Sequence, residues 1–140
     1  MKQHTDYVAG KIREVAYLAS KTFVAPGQRD AAGKLPAAPY VVIYPAEGTD
    51  TADRFVGPRI TQHPRFTIHI VGDDYDGVAE AAAAIKVKFV VGGVGVQPVV
   101  SGERSRNVAF ESPQPIQVDY DRNPALVYAT AEISWDADPT

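Results

Sequence analysis

The residues best suited to metal or acid–base chemistry are few and scattered. His4, His63 and His69 are the only imidazoles among 140 residues, and there is no cysteine. No two of these histidines form a His-x-x-x-His pair, and none lies beside a carboxylate at ligand spacing. The lack of cysteine excludes disulfides, cysteine-ligated zinc and thiol catalysis. We therefore expect no metal and no cofactor, with His69 on an outer strand face and His63 in a loop.

Two short segments resemble ligand-binding loops but fit helix ends better. A phosphate loop needs a strand before it, a helix after it and usually a lysine, whereas Gly92-Gly93-Val94-Gly95 follows a predicted helix and no lysine comes next. We interpret it as the C-cap of that helix. The segment Asp73-Asp74-Tyr75-Asp76-Gly77 resembles half of a calcium loop, but Ala81–Ala84 follow where a closing glutamate would be needed. Capping of the helix N-terminus is the better interpretation.

No nucleophile motif is visible, and the remaining charged groups suit contacts with a partner. The sequence contains no Gly-x-Ser-x-Gly motif and no recognisable Ser-His-Asp set, so we expect no enzymatic activity. Glu103-Arg104-Ser105-Arg106 could bind a small anion or a partner, although a solvated turn is the favoured interpretation. The candidate subunit or partner contacts lie in this turn and in the loop Ala46–Pro64: Glu47, Asp50, Asp53, Arg54, Phe55, Arg59, Glu103, Arg104 and Arg106.

Composition places the chain among single globular domains. It has 14 Lys and Arg against 17 Asp and Glu, a net charge of −3, with 45% hydrophobic and 22% charged residues. A protein that mainly grips duplex DNA needs clustered positive charge, so that class is disfavoured. The N-terminus has no signal-peptide pattern, and no apolar run approaches the ~20 residues of a membrane span. We expect one domain over residues 1–140. The protein is expected to be made in a cytoplasm and to act there or in a particle assembled there.

Two amphipathic helices are predicted. The first is capped by Thr5 or Asp6, ends near Ser20, and presents a stripe of Val8, Ile12, Val15 and Ala19. The second runs from about Asp76 to Val90, and Gly92-Gly93 ends it. Its stripe repeats the same spacing with Val78, Ala82, Ile85 and Phe89.

The rest of the pattern predicts strands and loops. Long loops are expected at Lys21–Pro39 and Ala46–Pro64, a polar turn at Ser101–Asn107 and a turn at Asp121–Pro124. Strands are predicted at Tyr40–Tyr44, Arg65–Val71, Val94–Val100, Val108–Ser112, Ile116–Tyr120 and Val127–Trp135. In the last of these, Trp135 shares the apolar face with Ala131 and Ile133, and we expect it to be buried. This order of elements predicts an α+β fold, a mostly antiparallel sheet with both helices on one face.

Two stretches carry a resemblance to a known family. One is Phe66–Gly72 followed by the Ala-rich helix 76–90, and the other runs from Pro115 through Asp121-Arg122-Asn123-Pro124 to Trp135. Together with the N-terminal helix and the strand Tyr40–Tyr44, they make the chain resemble tail terminator, or tail completion, proteins of long-tailed double-stranded DNA bacteriophages. The resemblance covers most of the chain as a pattern of elements and phrases.

The resemblance implies a structural role in a virion. Subunits of this family form a six-membered ring that caps the growing tail tube, stops its polymerisation and presents its other face to head-completion or connector proteins. The implied partners are therefore other copies of the chain, the tail tube protein and the connector, with genomic DNA only passing through the channel. No cofactor, metal or membrane is implied, and the implied location is the tail-neck region of a virion assembled in the host cytoplasm.

The sequence is also compatible with other functions. Within the same class, the chain could be a head-tail connector or a minor tail subunit. From other classes, it could be a small α+β domain that binds a metabolite or protein, or an unrecognised enzyme. A ring subunit buries loops and sheet edges between copies, whereas a metabolite binder has one deep apolar pocket.

Overall fold

The structure, a computed structural model, describes residues 2–25, 36–46, 51–52, 60–120 and 126–139. For residues 51, 52 and 60 it describes the backbone only. Within these ranges the helices are α1 (Lys2–Arg13) and α2 (Tyr75–Phe89). The strands in the same ranges are β1 (Thr22–Val24), β2 (Tyr40–Ala46), β3 (Thr51–Ala52), β4 (Ile60–Thr61), β5 (Arg65–Gly72), β6 (Val90–Val91), β7 (Val94–Gly95), β8 (Glu103–Ser105), β9 (Ala109–Glu111), β10 (Gln117–Asp119), β11 (Leu126–Ser134) and β12 (Ala137–Pro139).

A mostly antiparallel sheet forms the centre of the fold. Its order is β1-β2-β5-β11-β10, and β9 pairs with the other end of β11 on the same edge as β10. Strand β1 runs parallel to β2, and the other neighbours in this sheet are antiparallel. The longest pairing joins β5 to β11, from Val127 opposite Gly72 to Ser134 opposite Arg65.

Both helices pack on one face of this sheet, so the predicted α+β architecture is confirmed. The alternation in β5 places Phe66, Ile68 and Ile70 on the helix side, where all three are buried. From β11, Ala131 and Ile133 point to the same side. These side chains and the apolar stripes of α1 and α2 make one core.

The first helix is shorter than the sequence pattern predicts, and it begins earlier. Thr5 is buried inside α1 instead of capping it. Val15 has extended backbone angles (φ −75°, ψ 112°), and a 3-10 turn, Ala16–Leu18, follows it. Because this break changes the helical register, Leu18 is buried in the core while Ala19 is exposed.

The second helix agrees with its prediction at the start and differs at the end. Asp74 is the N-cap, and its Oδ1 accepts a hydrogen bond of 2.7 Å from the Gly77 backbone N–H. The core-facing stripe contains Ala81 in place of Ala82. The helix ends at Phe89 because the next residues enter β6, and Gly92 and Gly93 (φ 60° and 79°) form the β6–β7 turn. The predicted glycine C-cap is therefore wrong.

The long strands are confirmed, and so are the short strands β9 and β10, which lie within the predicted strands Val108–Ser112 and Ile116–Tyr120. The other short strands differ from the prediction. Strands β2, β5 and β11 lie at the predicted positions, with β2 extended to Ala46 and β11 ending one residue before Trp135. The predicted strand Val94–Val100 is reduced to the two residues of β7. Strand β1 lies inside the predicted loop Lys21–Pro39, and β3 and β4 lie within the predicted loop Ala46–Pro64.

The predicted polar turn Ser101–Asn107 instead contains β8, which pairs with β12. Strands of two or three residues show no alternation by themselves. Strand β8 forms because a distant segment, β12, supplies its hydrogen-bonding partner.

Candidate interaction surfaces

Three of the nine candidate contact residues lie in the described part of the chain. Glu103 and Arg104 belong to β8, and Arg106 follows it, donating its backbone N–H to the Asp136 carbonyl at 2.8 Å. The side chains of Arg104 and Arg106 are exposed. The other six candidates lie outside the described residues: Glu47, Asp50, Asp53, Arg54, Phe55 and Arg59.

Glu103 contacts the N-terminal helix and is only partly exposed to solvent. Its Oε2 atom lies 2.7 Å from Nε2 of His4, and the two side chains are 14% and 3% exposed. An ionised carboxylate only accepts hydrogen bonds, so Nε2 carries the hydrogen when Glu103 is charged. The pair joins α1 to β8. Because His4 is buried and Glu103 is largely covered in this contact, the pair contributes to the internal structure of the domain.

A glutamate, a histidine and a serine are therefore present in this region, but they do not form a catalytic triad. Among the described residues, His4 Nδ1 and Ser105 Oγ are buried and have no hydrogen-bond partner, so they do not bond to each other. A nucleophile and its base must be within hydrogen-bond reach and open to a substrate. The His4 and Ser105 side chains have neither property. The indole Nε1 of Trp135 is likewise buried and unpaired in this part of the chain, and its ring meets His4 edge-on at a centroid distance of 5.9 Å.

A groove of about 390 Å³ runs beside β8. Its walls come from β8 and the segment before it: Gln97, Pro98, Val99, Val100, Glu103, Arg104 and Ser105. Val99 is 85% exposed at its rim. The groove has an exposed valine and an exposed arginine in its lining, and arginine is enriched at protein contacts.

The outer face of the β6–β7 hairpin is an exposed apolar surface. Val91 and Val94 are directly opposite each other across the hairpin and are 63% and 57% exposed. Val87, in the last turn of α2, is also 63% exposed. The other face of the hairpin is fixed to the core, because Val90 packs against it and Gly95 abuts the Val108 backbone. We call Val87, Val91 and Val94 the valine patch.

A row of three rings crosses the sheet face opposite the helices. The ring centroids of Tyr44 and His69 are 4.9 Å apart, and those of His69 and Tyr128 are 5.5 Å apart. The Tyr128 hydroxyl donates to Gln117 Oε1 at 2.5 Å, tying the row to the edge strand β10. Burial lowers the pKa of His69 below its ordinary value, because the charged imidazolium loses hydration there.

A second groove, of about 330 Å³, lies at the end of the sheet. Its lining residues come mainly from β5, β9 and β11: Ala46, Arg65, Phe66, Thr67, Glu111, Glu132, Ile133 and Ser134. Glu111 and Glu132 are directly opposite each other across β9 and β11. Like charges in this position repel each other. The groove is open to solvent and its lining is mostly polar. It therefore differs from an enclosed apolar ligand pocket.

The histidines form contacts that the sequence could not reveal. His63 Nδ1 lies 2.6 Å from Asp136 Oδ1, 73 residues away, in addition to the His4–Glu103 pair. Within the described ranges, no three or more His, Asp or Glu side chains are grouped so as to hold a metal ion. In the same ranges, neither helix has the length and apolar character that a membrane crossing requires.

Most of these surfaces were not identified from the sequence. The valine patch does have a local signal, since two glycines between valine runs are typical of a two-residue hairpin. The groove beside β8 has no local sequence signal, because β8 forms only by pairing with the distant strand β12.

The whole fold is similar to that of a solved structure. A protein chain in the "Virion of native gene transfer agent (GTA) particle" superposes with a TM-score of 0.64 at 17% sequence identity. The match covers 95% of this chain and 92% of that one, so the two share a fold over nearly their full lengths. No protein-family model matches the sequence, and no curated protein matches it either.

Proposed function

We propose that this chain is a structural subunit of a phage-like virion, and specifically a tail terminator. In this role, copies of the chain form a ring, hexameric by resemblance, at the end of the tail tube. The ring stops polymerisation of the tube and joins the tail to the head through a head-completion or connector protein. The observation that carries the proposal is the match in fold, over 95% of this chain, to a chain of a gene transfer agent virion particle.

The surfaces described above support an assembly role over a catalytic one. The buried His4 Nδ1 and Ser105 Oγ have no hydrogen-bond partner among the described residues, so they lack the geometry of a nucleophile and its base. The two grooves are open and lined in part by charged side chains. A small-molecule site is usually enclosed and mostly apolar. We propose that the chain is not an enzyme and that its surfaces bind other protein subunits.

The charge balance supports a place at a DNA channel. DNA must slide through a tail without adhering, and adhesion grows with each lysine or arginine that neutralises a phosphate. A chain with net charge −3 lacks the excess of cations that strong adhesion requires. The proposed location is the neck of the particle, assembled in the host cytoplasm.

Loss of the protein distinguishes a terminator from a connector. The experiment is a nonsense codon at Tyr7 in a phage or phage-like element that carries this gene, followed by electron microscopy of the lysate. Overlong tubes without heads support the terminator role, because nothing blocks the growing end. Tails of normal length beside unjoined heads indicate a connector instead. Joined, functional particles would refute both roles and favour a binding domain or an enzyme.

A further inference from the structure

The valine patch lies at one end of α2, and the charges on that helix are segregated between its ends. Lys86 and Lys88 flank Val87 in the last turn, and neither forms an ion pair with another described residue. Three valines between 57% and 63% exposed, with unpaired lysines beside them, make a surface that is both apolar and basic. Such a surface is stabilised when an apolar and acidic partner covers it.

The other end of α2 presents the complementary surface. Tyr75 is 63% exposed at the first helical residue, and the exposed carboxylates of Asp73 and Asp76 flank it. Neither carboxylate forms an ion pair within the described residues, and Asp74 is occupied as the N-cap. The helix has 15 residues, so the two ends are about 22 Å apart. One chain cannot bring them together, but two copies can.

We propose that the valine patch of one copy docks on the Tyr75 end of α2 in a second copy. The valines cover the tyrosine ring, and Lys86 and Lys88 face Asp73 and Asp76. Because the two contacting surfaces differ, the contact is head-to-tail, and each copy keeps one free surface for the next. Such a contact generates a closed ring or a filament. The contact itself is argued from the exposed valines and the charges, while its place in a terminator ring rests on the proposed function.

Introduced cysteines test the contact directly. The chain has no cysteine, so two substitutions provide the only thiols. The double variant Tyr75→Cys/Val94→Cys, treated with a short bis-maleimide, is expected to give a ladder of covalent multimers. Each single variant is expected to stay monomeric, because a head-to-tail contact never brings two identical positions together. A mixture of the two single variants is expected to give dimers and nothing larger.

A matched control separates docking from random collision. Val99 is more exposed than Val94 but lies outside the patch, so Tyr75→Cys/Val99→Cys is expected to give no ladder. The reaction is run on concentrated purified protein and on lysates that contain assembled particles, so that an interface formed only on the tail is also detected. The proposal is overturned if the double variant stays monomeric in both samples. It is equally overturned if Val94→Cys alone dimerises, or if its thiol cross-links only to a different protein such as the tube subunit.

Charge exchange gives a second, independent test. In Lys86→Glu/Lys88→Glu both ends of α2 are acidic, and in Asp73→Lys/Asp76→Lys both ends are basic. Each variant alone is expected to lose self-association, while an equimolar mixture is expected to regain it as an alternating assembly. Circular dichroism of each variant checks that the fold is intact. No recovery on mixing of two folded variants would contradict the proposed pairing.

The contact and the proposed function can fail separately. Overlong tubes in the nonsense mutant without any ladder would leave the terminator role standing and remove this contact. A ladder from purified protein together with functional particles in the nonsense mutant would do the reverse.

Discussion

His4 Nε2 and Glu103 Oε2 lie 2.7 Å apart although 99 residues separate them in the chain. The contact ties the N-terminal helix to β8, a strand that belongs to a separate two-stranded sheet with β12. Removing one member leaves the other buried and without its partner, which costs about 1–3 kcal/mol. We expect Glu103→Ala to lower the free energy of unfolding by this amount in urea denaturation.

Arg104→Ala is the matched control for that substitution. Arg104 is the next residue on the same strand, but it is exposed. Surface substitutions of this kind usually stay within about 0.5 kcal/mol. Equal losses for the two variants would show that the buried pair contributes nothing specific to stability.

Trp135 is predicted to be a major stabilising residue. It is 4% exposed, and its ring stacks on Phe66 at a centroid distance of 5.6 Å and meets Tyr7 edge-on at 5.8 Å. We expect Trp135→Ala to cost roughly 3–5 kcal/mol, measured by circular dichroism because the variant loses the only tryptophan. Tyr120→Ala, at an 83% exposed aromatic residue, is expected to change stability little. A near-zero effect of Trp135→Ala would place the indole outside the core.

Gly95 is predicted to tolerate no side chain. A Cβ atom there would lie 1.8 Å from the Val108 carbonyl oxygen, which is backbone and cannot rotate away. We expect Gly95→Ala to lower the melting temperature. Gly10→Ala is the control, since a Cβ at that α1 position meets no atom within 4 Å, and alanine gains up to about 1 kcal/mol in helix propensity. A shift of the melting temperature in the same direction for both variants would show that the close approach to Val108 does not restrict Gly95.

His69 makes stability depend on pH in a defined direction. Its folded-state pKa is lowered by burial from the ordinary value of 6.5, so the unfolded chain binds the proton more readily. This contribution is present in full above pH 6.5 and is lost as the pH falls through the folded-state pKa. We expect the unfolding free energy of the wild type to fall more steeply between pH 7 and 5 than that of His69→Gln. The other two histidines are common to both proteins, so parallel curves would show that His69 contributes nothing.

The sequence predicted what depends on regular spacing. Alternation placed Phe66, Ile68 and Ile70 on the buried face of β5. The same alternation along the last predicted strand correctly predicted that Trp135 is buried. The end of α1 was missed because Val15 continues the helical stripe although its backbone is extended. An apolar residue can satisfy burial in either conformation, so spacing alone does not mark the break.

The candidate surfaces were harder to predict than the core. Glu103 and Arg104 are adjacent and both charged, yet Glu103 is largely covered by its contact with His4 and Arg104 is exposed. The difference is set by which side of β8 each residue occupies, and β8 exists only because β12 pairs with it. Contacts over such distances in sequence leave no local pattern. By contrast, the valine patch follows from a local hairpin, whose two-glycine turn is visible in the sequence.

The proposed function gives this chain a defined position in the particle, and a cryo-electron microscopy reconstruction of an assembled particle that carries the chain would show that position. If the chain is a tail terminator, the copies should form a closed ring at the head-proximal end of the tail tube, with DNA or its channel along the axis. Within that ring, the valine patch of each copy should meet the Tyr75 end of α2 in its neighbour. Single, isolated copies, a position elsewhere in the particle, or absence from the particle would refute the tail terminator role.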